Sequence, residues 1–391
     1  MSERPSSVTV VGAGIFGVTS ALELCRRGHQ VKLLDAGAVP HPDASSTDVS
    51  KVVRMDYGSD AFYTDLGVAA IDGWRAWNRE WDEPLYHECG ILLLSGGLLN
   101  RGGFEADSLR LVQQRGAPVV RLHPTALAAR FPAWSAAGFA EGYFNPHGGY
   151  AESGRVVARL KQTACDAGVE LHERVRCNGL VEESSRVVGV ALAGDRVWRS
   201  DTVVVAAGAW TAFLLPHLSE FMWATGQPVV QFRPSDPRPF EPSRFPVWCA
   251  DVTRTGRYGF PLNREGLIKV AHHGPGRRFM QGDTLAIDDE QEEHCVDFVR
   301  RTFPALADAT VEQTRLCLYC DTWDGNFLID HDPQRPGLVV AAGGSGHGFK
   351  FAPLIGGMVA DVVEGKPNPL AARFAWRTPG RRRTEQTRQR V

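Results

Sequence analysis

The 391-residue sequence has no run of about 18 apolar residues, and so offers no candidate membrane-spanning helix. Its opening, "MSERPSSVTV", is short and polar and passes straight into an apolar stretch, without the layout of a secretory leader. The final "QRV" is not an SKL-type peroxisomal address. There is little excess charge. With 43 Lys and Arg against 45 Asp and Glu the net charge is −2, which excludes the broad basic field expected of a nucleic-acid binder. Eight cysteines scattered along the chain do not make a disulfide scaffold. No internal repeat or sustained heptad is visible. These absences predict a cytoplasmic, reduced protein with no nucleic-acid or membrane partner; no metal is expected, and the protein is expected to be a monomer. What remains is ordinary for a large soluble protein: 43% hydrophobic and 23% charged residues, enough chain for two domains. One stretch stands apart. "RTPGRRRTEQTRQRV", 377–391, is basic, polar and led by Pro and Gly, and is expected to be a solvated, disordered tail, with a nucleic-acid or lipid arm as the lesser alternative.

The N-terminal segment "VTVVGAGIFGVTSALELCRRGHQVKLLDAG" is organised at every position. Val8 to Val11 reads as a buried parallel strand. Gly12, Gly14 and Gly17 follow as G-x-G-x-x-G. Ile15, Val18, Leu22 and Cys25 then recur at helical spacing, Gly28 stops the helix, and Val31 to Leu34 is a second strand ending at Asp35. Each part has a mechanical role in holding a dinucleotide. Gly12 permits the tight turn, Gly14 lets backbone approach a pyrophosphate at the helix N-terminus, Gly17 allows close helix–strand packing, and Asp35 can accept from ribose hydroxyls. This unit alone does not separate NAD from FAD.

The other end narrows the choice. "GLVVAAGGSGHGFKFAPLIGGMVADVVEGK" reads as a buried strand, Leu338–Ala342, a glycine-rich turn, then an apolar helix from about Pro353 to Val363. "DTVVVAAGAWT" is a third strand running into a glycine turn at Gly208. Glycine turns from three distant parts of the chain suit a large cofactor embedded in the fold, which favours FAD. Trp74, Trp77 and Trp81, at i, i+3 and i+7, read as the core face of a helix.

Taken in order, "VVGAGIFG…LLDA", "SSTDVSKVVRMDYG", "CLYCDTWDGNFLIDHDP" and "GGSGHGFKFAP" resemble the monomeric sarcosine oxidase family of D-amino-acid-oxidase-like flavoproteins over about residues 7–370. That family includes N-methyltryptophan, L-pipecolate, saccharopine and fructosyl amino acid oxidases, and "TDVSKVVRMDYG" looks most like the pipecolate, saccharopine and fructosyl-amine branch. The resemblance implies an α/β fold: a Rossmann-like FAD-binding domain (1–85, 150–215 and 320–391) interleaved with an α+β substrate domain on a mixed or antiparallel sheet (86–149 and 216–319). It implies oxidation of the C–N bond of a secondary or N-substituted amino acid to an imine, with O₂ reduced to hydrogen peroxide. A flavin dehydrogenase using another acceptor, or a flavoprotein without turnover, are the rival readings.

The same resemblance implies roles for single residues. Cys317 matches the cysteine that carries FAD through a thioether, while Cys320 matches no fixed position. A zinc half-site lacks a second ligand pair, and a redox C-x-x-C would open a helix rather than a strand; two ordinary buried cysteines remain the alternative. Arg54 and Lys350 match the pair that binds the substrate carboxylate, against the reading of two solvated cations. Lys269, in the apolar strand "GLIKVAHHG", is costly to bury. It matches the lysine that stands over the flavin and promotes reaction with O₂, unless it lies on an edge strand facing water. His273, Tyr258 and Tyr319 match groups lining the substrate pocket, and His347 a histidine near the flavin. Lys51 stands where the sarcosine oxidases carry Arg; it keeps the charge and loses the bidentate fork. Besides Gly12, Gly14, Ile15, Gly17 and Asp35, the expected FAD contacts are Ser45, Ser50, Lys51, Val175, Gly208, Cys317, Gly346, Gly348, Phe349 and Lys350.

Overall fold

The structure is a computed structural model that describes residues 6–100, 102–135 and 138–388. Its first sheet has six strands. Ser7–Val11 lies between Gln30–Leu34 and Thr202–Val205, all parallel. Glu170–His172 extends one side, and Leu338–Ala342 and then antiparallel Leu328–His331 extend the other. The Val8–Val11 run is buried on both faces, as strands covered by helices must be. The helix Ile15–Arg26 packs against this sheet and against the apolar helix Ala352–Val363, whose Gly356 has no room for a Cβ beside the Thr19 carbonyl. Gly17 is equally constrained: a Cβ there would sit 1.7 Å from the Gly12 carbonyl oxygen, so the helix approaches the turn as closely as backbone allows.

The second, nine-stranded sheet is mostly antiparallel. Its spine is the long pair Met222–Arg233 and Thr310–Thr322, and it continues through Ile268–His272, Arg257–Gly259 and Val247–Ala250 to Ile91–Ser95 and Glu141–Asn145. Its own core is aromatic, with Trp134, Trp248, Phe245 and Phe303 in mutual edge and stacked contact. A three-stranded sheet, Lys51–Arg54, Gly148–Ala151 and Tyr86–His87, bridges the two. Trp74 is fully buried on the helix Ala61–Glu80, with its indole N–H donating to the Lys350 carbonyl at 2.7 Å; the tryptophan row thus supports the glycine-rich turn from behind.

The expectation of a disordered tail over 377–391 is corrected for 377–388; residues 389–391 lie outside the described residues. Its arginines find partners far away in sequence. Arg377 pairs bidentately with Asp324, the Arg382 guanidinium sits 4.3 Å from the Trp223 ring, and the Arg383 N–H donates to the Trp323 carbonyl. Arg388 makes a buried bidentate pair with Asp321 at 2.6 and 2.7 Å and donates to the Gly274 carbonyl. The segment is anchored at both ends on acidic and aromatic groups, while 378–384 between them are exposed. No helix among the described residues is long and apolar enough to cross a membrane.

Candidate active site

Two cavities meet where the sheets join. The larger, about 630 Å³, starts at Gly12 and Gly14, passes Asp35, Val175 and Gly208, and ends at Gly346, Gly348 and Phe349. The smaller, about 60 Å³, lies between Arg54, Tyr258, His273, His347, Lys350 and Glu385. Lys51, Tyr319, Gly346 and Phe349 line both.

The larger cavity is shaped by missing side chains. Gly12 has φ +97°, and a Cβ there would strike the Ala206 carbonyl at 2.6 Å. A Cβ on Gly346 would strike the Tyr319 ring at 2.3 Å. The helix N-terminus at Ile15 opens toward the cavity, with the Ile15 N–H donating to Ser46 Oγ at 3.2 Å. Asp35 accepts from the Ala13 and Gly37 N–H groups at 2.8 and 3.0 Å, which locks the turn and the end of the second strand together. Ser45 and Ile15 are also on the wall, the Ser45 hydroxyl donating to the Leu318 carbonyl. A long cleft with a helix N-terminus, backbone-lined turns and an acid beside the first of them fits a dinucleotide flavin. Gly17 stands behind the turn as a packing residue. Ser50 departs from expectation: it is on neither wall, its hydroxyl is buried without a partner, and its carbonyl accepts from Lys269 at 2.6 Å.

Behind Lys51 lies a charged cluster. Asp48 Oδ2 accepts from both Lys269 Nζ (2.7 Å) and Lys51 Nζ (3.2 Å), and Lys51 Nζ is also 3.4 Å from Cys317 Sγ. Two ammonium groups on one carboxylate leave a net positive charge. Burial drives the Lys269 pKa down to about 8 against the pull of Asp48. Burial works against ionisation of Asp48 as well, yet Lys269, Lys51 and Arg315 hold it below the usual carboxylate range. Lys51 loses charge stability by burial too, but Cys317 and Asp48 hold its pKa above the ordinary lysine value. Lys269 is 1% exposed on an interior strand paired with Gln231, so the edge-strand alternative is excluded. Cys317 is one contact behind the wall, through Lys51, and Lys269 two, through Asp48 and then Lys51. The paired thiols part company by strand alternation. Cys317 packs with Tyr319 and Tyr258 and is on neither cavity wall, whereas Cys320 lines the larger cavity, its sulfur 3.8 Å from that of Met222. Among the described residues no group of His, Cys, Asp and Glu is assembled to hold a metal ion.

Around the small cavity, Arg54 is buried with its guanidinium 4.4 Å from the centre of the Tyr57 ring, and its Nη1 has no hydrogen-bond acceptor among the described residues. Lys350 Nζ donates to the His347 carbonyl at 2.9 Å; burial and the Arg54 charge push its pKa well below that of a free lysine. His347 Nδ1 meets the Tyr57 hydroxyl at 3.1 Å, and burial lowers its pKa to about 4. His273 Nδ1 lies 3.4 Å from the Tyr319 hydroxyl, and its Nε2 meets the Glu385 carboxylate in a short contact. Tyr258 faces Tyr319, and burial raises the Tyr258 pKa to about 12. Of the cations and phenols expected from the sequence, Lys51, Arg54, Lys350, Tyr258 and Tyr319 line one hollow, and Lys269 stands behind it. Asp48, Tyr57, Glu385 and Thr387 were not anticipated. Asp48 stands within the "SSTDVSK" motif and could have been found as the acid needed by buried lysines.

A cleft for a dinucleotide flavin opening onto a small cationic hollow defines a flavin-dependent oxidoreductase. The model of the FAD dependent oxidoreductase (DAO) family matches residues 7–362, and the chain belongs to this family. It is 25% identical over 364 residues to the monomeric sarcosine oxidase of Bacillus sp. (strain B-0618), covering 91% of each chain. It is 26% identical to the N-methyl-L-tryptophan oxidase of Yersinia pestis (strain Pestoides F), covering 92% of this chain and 95% of the relative. Among solved structures, the fructosamine oxidase (Amadoriase II) of Aspergillus fumigatus in complex with FSA superimposes with a TM-score of 0.84 at 26% identity, over 96% of this chain and 90% of that one.

Proposed function

We propose that the protein is an FAD-dependent oxidase of a secondary or N-substituted amino acid, which converts the C–N bond to an imine and passes the electrons to O₂ to give hydrogen peroxide. FAD, when bound in the long cleft, supplies the two-electron acceptor. The observation that carries the reading is the small hollow: the buried basic side chains Arg54 and Lys350 both line it, and Arg54 Nη1 has no acceptor among the described residues, directly beside residues that line the cofactor cleft. Glu385 Oε2 is 4.0 Å from Arg54 Nη2, but the buried Nη1 is left without an acceptor among the described residues, which is costly, and a substrate carboxylate on Arg54 relieves that cost while fixing the α-carbon near the cleft. Tyr258, Tyr319 and Phe349 supply the hollow's aromatic walls. The likeness to oxidases named for sarcosine, N-methyltryptophan and fructosamine supports an N-substituted amine as the reacting group. The small volume between the cations favours a compact acid end whatever the remainder of the substrate.

An anaerobic bleaching screen of sarcosine, proline, pipecolate, saccharopine, N-methyltryptophan and fructosyl amino acids is expected to find one that reduces the flavin, with peroxide released under air. A protein bleached by an amine but silent toward O₂ would instead be a dehydrogenase. Arg54→Ala and Lys350→Ala should each weaken binding of carboxylate ligands by about 1.5–3 kcal/mol, the worth of a charge-assisted hydrogen bond. Amide or decarboxylated analogues should lose little further. Paired binding titrations of an acid and its amide check this; variants that discriminate between the two as well as the wild type does would place the carboxylate elsewhere.

A further inference from the structure

The segment 384–388 brings a carboxylate into the small hollow. Glu385 is buried, and one of its oxygens is taken by His273 Nε2. The other, Oε2, has no hydrogen-bond partner among the described residues; it lies 4.0 Å from Arg54 Nη2 and 3.9 Å from His347 Nδ1. Arg54 Nη1 is likewise buried without an acceptor. Both side chains line the same cavity of about 60 Å³. An orphaned buried acceptor and an orphaned buried donor each carry a desolvation cost, and at this separation they do not satisfy each other. A ligand a few atoms long, with an acceptor at one end and an N–H donor at the other, would satisfy both. An amino acid with a free N–H has that form.

We infer that Glu385 is a specificity-determining residue that accepts the N–H of the substrate amine while Arg54 takes its carboxylate, an assignment that rests on the amino-acid reading above. The position of Glu385 is secured on its C-terminal side. Thr387 Oγ1 is 3.4 Å from Arg54 Nη2, and Arg388 is clamped on Asp321 and the Gly274 carbonyl. The acceptor is therefore presented by an anchored strap, not by a free chain end. A carboxylate at that point selects for secondary amines, which keep an N–H in the neutral reactive form, over tertiary amines, which do not. It also offsets the repulsion that Arg54 and Lys350 would exert on an approaching ammonium.

The test uses the flavin-loaded full chain and two ligands small enough for the hollow: sarcosine, and (methylthio)acetate, in which sulfur replaces the N–H. Sarcosine affinity is read from the concentration dependence of anaerobic bleaching, and (methylthio)acetate affinity from perturbation of the flavin absorbance. In Glu385→Ala the sarcosine Kd is expected to rise at least ten-fold while (methylthio)acetate binds unchanged or more tightly. Glu385→Gln, which keeps the shape and a neutral acceptor, should fall between. Flavin content and thermal midpoint verify that the variants fold. Equal tightening of both ligands would overturn the inference, because Glu385 would then merely obstruct the anion position. No change in either, or equal weakening of both, would make its role structural and also overturn it. If the wild-type flavin responds to neither ligand and Arg54→Ala alters nothing, the amino-acid reading itself fails, an outcome distinct from (methylthio)acetate binding through Arg54 with sarcosine indifferent to Glu385.

Discussion

Protein precipitated with acid is expected to keep its yellow colour, and Cys317→Ser to lose it to the supernatant. The reason lies in the surroundings of the sulfur. Lys51 Nζ is 3.4 Å from Cys317 Sγ and also lines the cofactor cleft, so the same cation touches the candidate nucleophile and borders the site of attachment. Cys320 lines the cleft itself, but burial pushes its thiol up to about 12, and its sulfur neighbour is Met222. Cys320→Ser should therefore retain the colour. Release from Cys320→Ser instead would move the tether to the cleft-facing side of the strand, and release from wild type would make the flavin non-covalent. Lys51→Met should slow attachment without abolishing binding, seen as a larger acid-soluble flavin fraction.

Lys269→Met is expected to lower kcat/KM for O₂ by two to three powers of ten while anaerobic bleaching by the amine changes little. Negative charge develops on oxygen as it accepts electrons, and a fixed cation in a dry site is worth about 3–4 kcal/mol toward that charge. Lys269 acts here as part of a set. With Asp48 ionised, Lys51 and Lys269 together leave one net positive charge, and the methionine variant leaves none. Since Asp48 and Lys51 stand between Lys269 and the cavity, its effect is exerted through the field of the cluster, and Asp48→Asn should disturb both half-reactions by freeing two buried ammonium groups. Stopped-flow measurement of the two half-reactions separates these cases. A greater oxygen defect in Lys51→Met than in Lys269→Met would transfer the role to Lys51, and equal losses in both half-reactions would make Lys269 structural.

What could be read from the sequence follows a physical divide. The glycine turns at Gly12–Gly17, Gly208 and Gly343–Gly348 were legible because each imposes a local backbone requirement that few residues meet. Buried strands and the helix from Ala352 were legible from apolar continuity. Arg54, Lys350 and Lys269 stood out as cations in apolar settings. Their counter-charges did not stand out. Asp48 lies 221 positions from Lys269, and Glu385 lies 112 from His273, so no periodicity or spacing links them. The segment after Arg377 misled for the same reason: charge and polarity describe composition, whereas its docking depends on Asp321, Asp324, Trp223 and Trp323, which the long strand and its neighbour present only after folding. Ser50 was misplaced because a hydroxyl in a loop can turn to either side of the backbone.

The six-stranded sheet also governs how the chain can be made. Val8 pairs with Thr202, and Val203 on that same strand pairs with Leu338, so the centre of the sheet awaits residues from the middle and the far end of the chain. Such non-local pairings are formed late and slowly, and until then the apolar strand Ser7–Val11 has open edges exposed to other chains. Synthesis past Ala342 is required before the flavin cleft exists at all. Expression of either half alone should therefore yield aggregate rather than a cofactor-binding fragment, and yield of the whole chain should respond to temperature and flavin supply during folding more than to changes on its finished surface.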